Sequence, residues 1–442
     1  MFGYKMIQMV RAHAYKLDAP LREHLIHTYK PFKRTPCFLH STLEKVLNKT
    51  KRVEVIIEFK QDCYDQGFEE LCSLVSSKRR CKNRHQFPKI SCCSATLTPE
   101  AIGMLADQCS HVKKVYLNRE VKAFLDTAVP AAYAGSVARD DTGLTGKGVT
   151  IAIIDTGVEE HQDLEGRIID FADFIDNRHT PYDDNGHGTH VAGCAAGDGR
   201  ASNGRYKAPA PESRIIGVKV LNKGGAGSLE TVTRGIQWCI DYNENNKDQP
   251  IHIMNLSLGS ASPRYDDESE DPMVKMVQAA WKEGIVVVAA AGNEGPNSQT
   301  IGTPGLSSDI ITVGALDNRN TVDHSDDVIA SFSSRGPTIY GETKPDIVAP
   351  GVNITSLRAP SSFIDKYQKL NRVGSHYFTM SGTSMAAPIC AGVIALMLEN
   401  DPSLTPSQVK KQLMEGAKLW TDRDPNIYGA GYINAKNSIE RT

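Results

Sequence analysis

Several features that mark common classes of protein are missing from this sequence. None of its ten cysteines forms a C-x-x-C pair, the spacing typical of zinc ribbons and thiol–disulfide oxidoreductases. No stretch approaches the ~18 uninterrupted apolar residues of a membrane-spanning helix. Residues 1–25 mix acidic and basic side chains with apolar ones and so lack the continuous apolar core of a secretory signal. We therefore expect a cytoplasmic protein, without a membrane partner, whose cysteines are thiols.

An excess of charge of one sign is also missing. The chain has 50 Lys and Arg against 52 Asp and Glu, for a formal net charge of −2. Proteins that bind nucleic acid or anionic membranes usually carry a basic excess. One basic run is present at residues 78–85, but no aromatic residues are interleaved with it, and we interpret it as an exposed loop. Nucleic acid is therefore not expected as a partner.

The chain divides into three predicted regions, since 442 residues exceed what one ordinary core accommodates. Residues 1–51 are basic, and prolines at positions 20, 31 and 36 indicate an irregular N-terminal segment. Residues 52–125 are typical of a small α+β domain. Within it we predict a strand at 52–59, helices at 66–75 and 98–108 with Thr98 as an N-cap, and a strand at 112–117.

Residues 126–442 have the pattern of an α/β domain. Short runs that are apolar on both faces alternate with helical stretches, which indicates a mostly parallel sheet covered by helices on both sides. The apolar runs are residues 149–154, 215–221, 251–256, 285–291 and 310–313. We predict a three-layer α/β/α arrangement with binding sites at the carboxyl ends of the strands.

Four polar residues stand where such a fold carries out chemistry. Asp155 and Asn293 each follow an apolar run, His187 precedes a helix of small residues, and Ser384 stands at the start of an apolar helix. Taken alone, each could be a turn or helix-cap residue, and His187 with His190 could ligate a metal. No Glu lies beside these histidines at the spacing found in zinc proteases, which disfavours a metal site at this position. Together the four supply an acid, a base, a nucleophile and a hydrogen-bond donor for an oxyanion.

Three sequence blocks in this order resemble those of subtilisin-like serine proteases. They are Asp155-Thr156-Gly157, the His-Gly-Thr-His-Val-Ala-Gly block at residues 187–193, and the Gly-Thr-Ser-Met-Ala-Ala-Pro block at residues 382–388. A fourth block, residues 290–294, resembles the oxyanion block of that family. The resemblance implies the subtilisin-like fold and a serine endopeptidase with the triad Asp155, His187 and Ser384. It implies Asn293 as the oxyanion donor and requires no cofactor for catalysis.

The resemblance also implies how a polypeptide substrate binds, by pairing with strands at the two rims of a cleft. The matching residues are Ser257, Leu258 and Gly259 on one rim and Gly225 and Gly227 on the other. Gly302 lies where the family has the floor of its primary specificity pocket. Because glycine leaves that pocket deep, we expect a preference for large apolar side chains before the cut.

Two further implications concern the N-terminal region and calcium. Residues 52–125 resemble the inhibitory propeptide of the family in size and element order, so we expect an intramolecular partner that is removed by a cut near residues 125–129. Asp163 matches a calcium ligand of secreted members. The loop at 198–211 that should complete the site carries Arg200, Arg205 and Lys207, which are poor neighbours for calcium. A structural calcium ion is therefore left open.

Three alternative functions compete with this interpretation. A catalytically silent scaffold of this fold would serve for binding, but such chains usually lose a catalytic residue, and all four are present here. An esterase could use the same triad, although the strand-pairing segments favour a peptide. Cys194 and Cys390 lie near the motifs, but neither occupies a nucleophile position, so a cysteine hydrolase is disfavoured.

Overall fold

The structure is a computed structural model that describes residues 5–28, 40–60, 63–78, 80–118, 120–123, 143–319, 327–417 and 422–439. The chain falls into two compact units. The first comprises Met1–Arg119 and Pro263–Lys275, and the second comprises Glu120–Ser262 and Met276–Thr442.

The first unit combines helices with a four-stranded antiparallel sheet. Its elements are α1 (Lys5–Ala12), α2 (Ala19–His27), α3 (His40–Thr50), β1 (Val53–Phe59), α4 (Tyr64–Ser76), β2 (Lys82–Phe87), β3 (Cys92–Leu97), α5 (Pro99–Gln108) and β4 (Val112–Leu117). The strands lie in the order β2-β3-β1-β4. The two helices and two strands predicted within residues 52–125 are confirmed, and the Thr98 side chain caps α5 by accepting a hydrogen bond from the Ala101 amide.

The N-terminal segment differs from the irregular stretch that its prolines suggested, because its described part forms α1, α2 and α3. Pro20 stands in the first turn of α2, where its missing N–H is not needed, and Asp18 caps that helix by accepting from the Leu21 amide. Met6 and Leu25 are buried in the same core as the sheet. These helices therefore belong to the first unit, and prolines 31 and 36 lie outside the described residues.

The basic run at 78–85 is not simply a loop, because its second half lies in β2. This strand is at the edge of the sheet, and most of its residues are exposed or half-buried. Arg84 forms an ion pair with Glu54 on β1. Charged residues are common on edge strands, since they discourage pairing with a second chain. Because of these charges, the sequence was interpreted as a loop and the strand was not predicted.

The second unit holds the remaining elements. Its strands are β5 (Glu120–Ala123), β6 (Thr150–Asp155), β7 (Ile168–Asp173), β8 (Arg214–Lys219), β9 (Ala226–Ser228), β10 (Ile253–Leu256), β11 (Leu258–Gly259), β12 (Val286–Ala290), β13 (Ile311–Asp317), β14 (Val328–Ile329), β15 (Ile347–Pro350), β16 (Ile354–Leu357), β17 (Arg372–Val373) and β18 (Tyr377–Met380). Its helices are α6 (His187–Ala196), α7 (Leu229–Asn245), α8 (Pro272–Lys282, whose first residues are counted with the first unit), α9 (Phe363–Tyr367), α10 (Thr383–Asn400), α11 (Pro406–Gly416), α12 (Pro425–Tyr428) and α13 (Ala435–Ile439).

The main sheet of this unit runs in the order β14-β13-β12-β10-β6-β8-β7, and β15 also pairs with β13. All of its pairs are parallel except that of β13 with β14. Every residue of β6, β10 and β12 is buried, as expected for strands covered on both faces. Helix α10 packs against this sheet and against α6. The predicted α/β fold is therefore confirmed.

Two small sheets complete the second unit, in the orders β11-β5-β9 and β16-β18-β17. Within the described residues, one helix is long and apolar enough by composition to span a membrane. That helix is α10, and 89% of its residues are buried inside the protein. Its apolar character is therefore accounted for by the core of this unit.

Candidate active site

The carboxyl end of β6 brings Asp155 to the start of α6. Its Oδ1 lies 2.8 Å from His187 Nδ1, and both side chains are fully buried. Because a carboxylate only accepts hydrogen bonds, this contact assigns the imidazole proton to Nδ1 and leaves Nε2 as the acceptor. The Thr156 amide donates to the same Asp155 oxygen over 2.7 Å. The pair can therefore act as an oriented base.

The loop before His187 is held by a second buried carboxylate, Asp183. It accepts hydrogen bonds from the amides of Asn185, Gly186 and Thr189, at 3.1, 2.8 and 2.9 Å. Burial raises the pKa of Asp183, although these hydrogen bonds oppose the effect. Gly188 is required by close approach, because a Cβ there would lie 2.1 Å from the Gly157 carbonyl oxygen. The glycine-rich motif therefore reflects the tight packing of the two motif segments.

Lys219, at the end of β8, was not singled out from the sequence. Its side chain is fully buried, and its ammonium donates to the Thr156 carbonyl, to Asp184 Oδ1 and to the Leu221 carbonyl at 2.5, 2.8 and 2.9 Å. It thereby ties the segment after Asp155 to the segment before His187. A lysine within an apolar strand is a signal that sequence inspection could have used, since an unpaired buried ammonium is costly.

Ser384 is the second residue of α10, where backbone amides lack helical partners and the helix dipole is positive. Its Oγ donates to the Ser257 carbonyl at 3.1 Å, and Ser257 Oγ donates to the Ser384 carbonyl at 2.8 Å. Ser384 is fully buried. These reciprocal bonds fix the predicted nucleophile against the strand predicted to bind substrate.

Asn293 follows β12 and faces the start of α10. Its Oδ1 accepts hydrogen bonds from the amide and hydroxyl of Thr383, both at 3.0 Å. These two donors fix which end of the side-chain amide is the oxygen. The Nδ2 group is buried and has no hydrogen-bond partner among the described residues. A buried amide donor beside Ser384 without a partner is suited to an oxyanion that forms during reaction.

The predicted substrate strands form a groove whose two rims are β9 and β11. Strand β5 lies between them and is antiparallel to both. Gly227 and Ala226 face Val121 and Lys122 on one side, whereas Leu258 and Gly259 face Ala123 and Lys122 on the other. A segment of the chain itself therefore has the backbone pairing that was predicted for an extended substrate.

Glycine is needed at both predicted positions of the β9 rim. Gly225 has a φ of +76°, which disfavours side chains. A Cβ on Gly227 would lie 2.4 Å from the Val220 carbonyl oxygen. Gly302 is buried, and its amide donates to the Ala291 carbonyl at 3.1 Å, which connects it to the segment carrying Asn293.

The residues considered for a metal or a thiol nucleophile are buried inside the second unit. His190 Nε2 lies 3.1 and 3.0 Å from the carbonyl oxygens of Ile354 and Phe378, and burial lowers its pKa to about 3. Burial raises the pKa of Cys194 to about 12 and that of Cys390 further, which makes both thiols poor nucleophiles. Among the described residues, no group of three His, Cys, Asp or Glu side chains could hold a metal ion.

The surroundings of Asp163 do not fit a calcium ion. Both carboxylate oxygens are engaged, one by the Ala201 amide at 2.7 Å and the other by the Tyr377 hydroxyl at 2.6 Å. The Arg167 guanidinium donates to the carbonyls of Ala196 and Ser213, at 2.7 and 3.0 Å, and to the Asp163 carbonyl. Calcium requires six to eight oxygen ligands, and here a cationic side chain already occupies the carbonyl groups.

Comparison with known proteins identifies the group to which this geometry belongs. A model of the Peptidase S8 subtilase family matches residues 146–431. The chain is 58% identical over 439 residues to "Serine protease AprX" of Bacillus subtilis, covering 99% of each chain. It is 33% identical to "Thermostable alkaline protease" of Halalkalibacterium halodurans, over 80% of this chain and 85% of that protein.

Comparison of the structure with solved structures agrees with the sequence comparisons. The crystal structure of fervidolysin from Fervidobacterium pennivorans, described as a keratinolytic enzyme related to subtilisin, matches with a TM-score of 0.69 at 21% identity. The match covers 89% of this chain and 61% of that one. At this identity it supports the fold alone. The family match and the full-length likeness to a serine protease show that the chain belongs to the subtilase family and is a serine protease.

Proposed function

We propose that this protein is a serine endopeptidase in which Asp155, His187 and Ser384 act as a catalytic triad. The observation that carries the proposal is the buried 2.8 Å contact between Asp155 Oδ1 and His187 Nδ1, at the start of a helix that packs against the helix carrying Ser384. This contact presents Nε2 as a proton acceptor, which a serine nucleophile requires. All four residues of the proposed machinery are retained, so a silent scaffold has no support.

The reaction follows from these groups. Ser384 Oγ attacks the carbonyl carbon of the scissile peptide while His187 Nε2 takes the hydroxyl proton. The tetrahedral intermediate collapses when Nε2 returns that proton to the leaving amine, and an acyl-enzyme remains. Water then attacks the ester with the same base, which releases the acid and restores Ser384. Asp155 stays ionised and stabilises the imidazolium formed in each half-reaction.

Asn293 Nδ2 and the Ser384 amide are the proposed oxyanion donors. Both are fixed before reaction, because Thr383 holds the Asn293 side chain and α10 holds the serine backbone. Donors fixed in a site from which water is excluded stabilise developing charge without the cost of reorganisation. The carbonyl oxygen of the bound substrate carries less negative charge than the oxyanion, so these donors stabilise the substrate less than the transition state. Their loss should therefore lower kcat more than it raises KM.

The substrates are extended polypeptides, and we infer their alignment from β5. Lys122 faces Gly259 and Ala123 faces Leu258, so the next residue of a bound peptide would face Ser257, beside Ser384. In this chain the residue after Ala123 is Phe124. We therefore predict self-cleavage after Phe124, slightly before the interval 125–129 expected from the sequence. Residues 124–142 lie outside the described residues.

We further propose that the N-terminal region is a propeptide and that the preferred residue before a cut is large and apolar, as Phe124 is. The β5 pairing supports the first point, because it puts the chain in the groove that a substrate would need. We also place the enzyme in the cytoplasm. All nine cysteines within the described residues are free thiols, which fits a reducing compartment.

The test compares purified wild type with Ser384→Ala, with peptide hydrolysis and intact mass measured on both. The proposal expects wild type to cleave a Phe-ending peptide faster than an Ala-ending one and to lose the region before Leu125, whereas Ser384→Ala does neither. An active wild type that keeps its full mass would retain the triad but remove the propeptide assignment. Equal inactivity of both proteins after the region before Leu125 has been removed from each would contradict the triad.

A further inference from the structure

Residues 359–372, here called the arm, connect β16 to the start of β17 and contain α9. Asp365 is its anchor, with a side chain that is 3% exposed. Arg358 binds the carboxylate over 2.6 and 3.1 Å and Arg372 over 2.7 and 3.0 Å. Despite burial, these two guanidinium groups and the Ser361 amide keep the pKa of Asp365 below its usual range. The arm is therefore a rigid element.

The arm contacts the loop that leads into His187. The amides of Phe363 and Ile364 donate to the carbonyls of Asp184 and Asn185, at 2.8 and 3.0 Å. A Cβ on Gly186 would lie 2.6 Å from Ser362 Oγ, so the arm and this loop touch directly. After the arm, the chain turns through β17 and β18 and reaches Ser384 four residues beyond Met380. The arm is thus joined to the segments that carry both the base and the nucleophile.

The outer face of the arm is apolar and basic. Phe363 is 37% exposed, Tyr367 75% and Leu370 99%, and the first two rings contact each other at a tilt of 46° with centroids 4.7 Å apart. Lys366 and Lys369 are also exposed. A rigid segment normally buries such large apolar side chains, so a cluster of three on one short stretch points to a contact surface.

The position of the arm indicates the side of the cut on which it acts. The acyl side of a substrate lies between β9 and β11, as β5 does, whereas the leaving amine takes its proton from His187. The arm is bonded to the loop before His187 and lies outside the β11-β5-β9 sheet. We infer that the arm binds the part of the polypeptide substrate that follows the cut, and that it favours a large apolar residue accompanied by acidic ones. This inference rests on the proposed function.

The test uses substrates that share the acyl sequence Val-Lys-Ala-Phe, taken from residues 121–124. A p-nitroanilide has no residues after the cut and reports the triad alone. Three internally quenched peptides continue for eight residues with an apolar and acidic tail, a Gly-Ser tail, or a basic tail. The enzymes are wild type, the double variants Tyr367→Ser/Leu370→Ser and Lys366→Glu/Lys369→Glu, and two controls. Val328→Ser and Lys247→Glu make the same kinds of change at exposed positions outside the arm.

Wild type and both controls should cleave the apolar–acidic peptide about five- to tenfold more efficiently than the Gly-Ser peptide, as expected when one or two exposed side chains become half covered. The serine double variant should lose most of that ratio, and the glutamate double variant should come to favour the basic tail. All five proteins should cleave the p-nitroanilide equally. Tail-independent cleavage by wild type would overturn the inference, and so would arm variants that slow the p-nitroanilide equally, because the arm would then only support the triad. A wild type that cleaves no substrate would overturn the proposed function and this inference together.

Discussion

Replacement of Asn293 by alanine should reduce catalysis far more than substrate binding. The side chain offers one buried donor, Nδ2, which has no partner among the described residues in the resting enzyme. Because that donor makes its bond only once the oxyanion forms, Asn293→Ala should lower kcat about 10²–10³-fold, or ~2.7–4 kcal/mol, and leave KM within about threefold. That magnitude comes from a measurement on another member of the subtilisin family.

The same replacement has a separate effect on stability that must be measured alongside. Thr383 is fully buried and would lose the acceptor of both its amide and its hydroxyl, at a cost of about 1–3 kcal/mol in the free energy of unfolding. Steady-state kinetics well below the melting temperature separate the two effects. Asn246→Ala, at the exposed C-cap of α7, is the matched control and should leave kcat unchanged. A kcat for Asn293→Ala within about threefold of wild type would refute the role of this donor.

Three other predictions concern charge and metal. Lys219→Met should lower kcat, and it should lower the free energy of unfolding by about 1–3 kcal/mol. The reason is that the Thr156 and Leu221 carbonyls lose their donor, whereas Asp184, which is 33% exposed, can be hydrated. An unchanged kcat with reduced stability in a thermal melt would show that Lys219 does not position the triad. EDTA should leave the melting temperature of Ser384→Ala unchanged, since hydrogen bonds already occupy the Asp163 carboxylate, and a fall that calcium restores would contradict this. Burial lowers the pKa of His190 from 6.5 to about 3, so the folded state disfavours the protonated imidazole, and the stability that neutral His190 contributes should be lost as pH falls from 6.5 towards 3. Urea unfolding of Ser384→Ala and of Ser384→Ala/His190→Asn across that pH range tests this. If the free energy of unfolding changes with pH equally in both proteins, His190 is not the group responsible.

The sequence predicted the fold of the second unit well, because its strands are apolar on both faces and its helices begin at recognisable motifs. The geometry of Asp155 with His187 was likewise expected from motif order. Lys219 was overlooked because a single charged residue within the apolar run at 215–221 belongs to no motif of its own. Its role depends on the Thr156 and Leu221 carbonyls and on Asp184, which converge only after β6 and β8 have paired.

The first unit was predicted less completely, for two physical reasons. The helices before residue 51 are short, and Pro20 looked like an interruption although it stands in a first turn that tolerates proline. Strand β2 carries the charges of an edge strand, so its polar sequence resembled a loop. The exposed side chains of the arm gave no signal at all, since exposure is a property of the folded chain.

Strand β5 has a consequence for the timing of activity. A segment tethered to its own groove has an effective concentration on the order of millimolar, whatever the amount of protein present. Before cleavage, the groove would therefore be occupied in every molecule, and activation would follow first-order kinetics that dilution does not change. After cleavage the same segment becomes a separate fragment, and its occupancy then falls as the solution is diluted. The cut would thus convert a concentration-independent block into a concentration-dependent one, so after the cut a dilute sample should show a larger fraction of its full activity than a concentrated one.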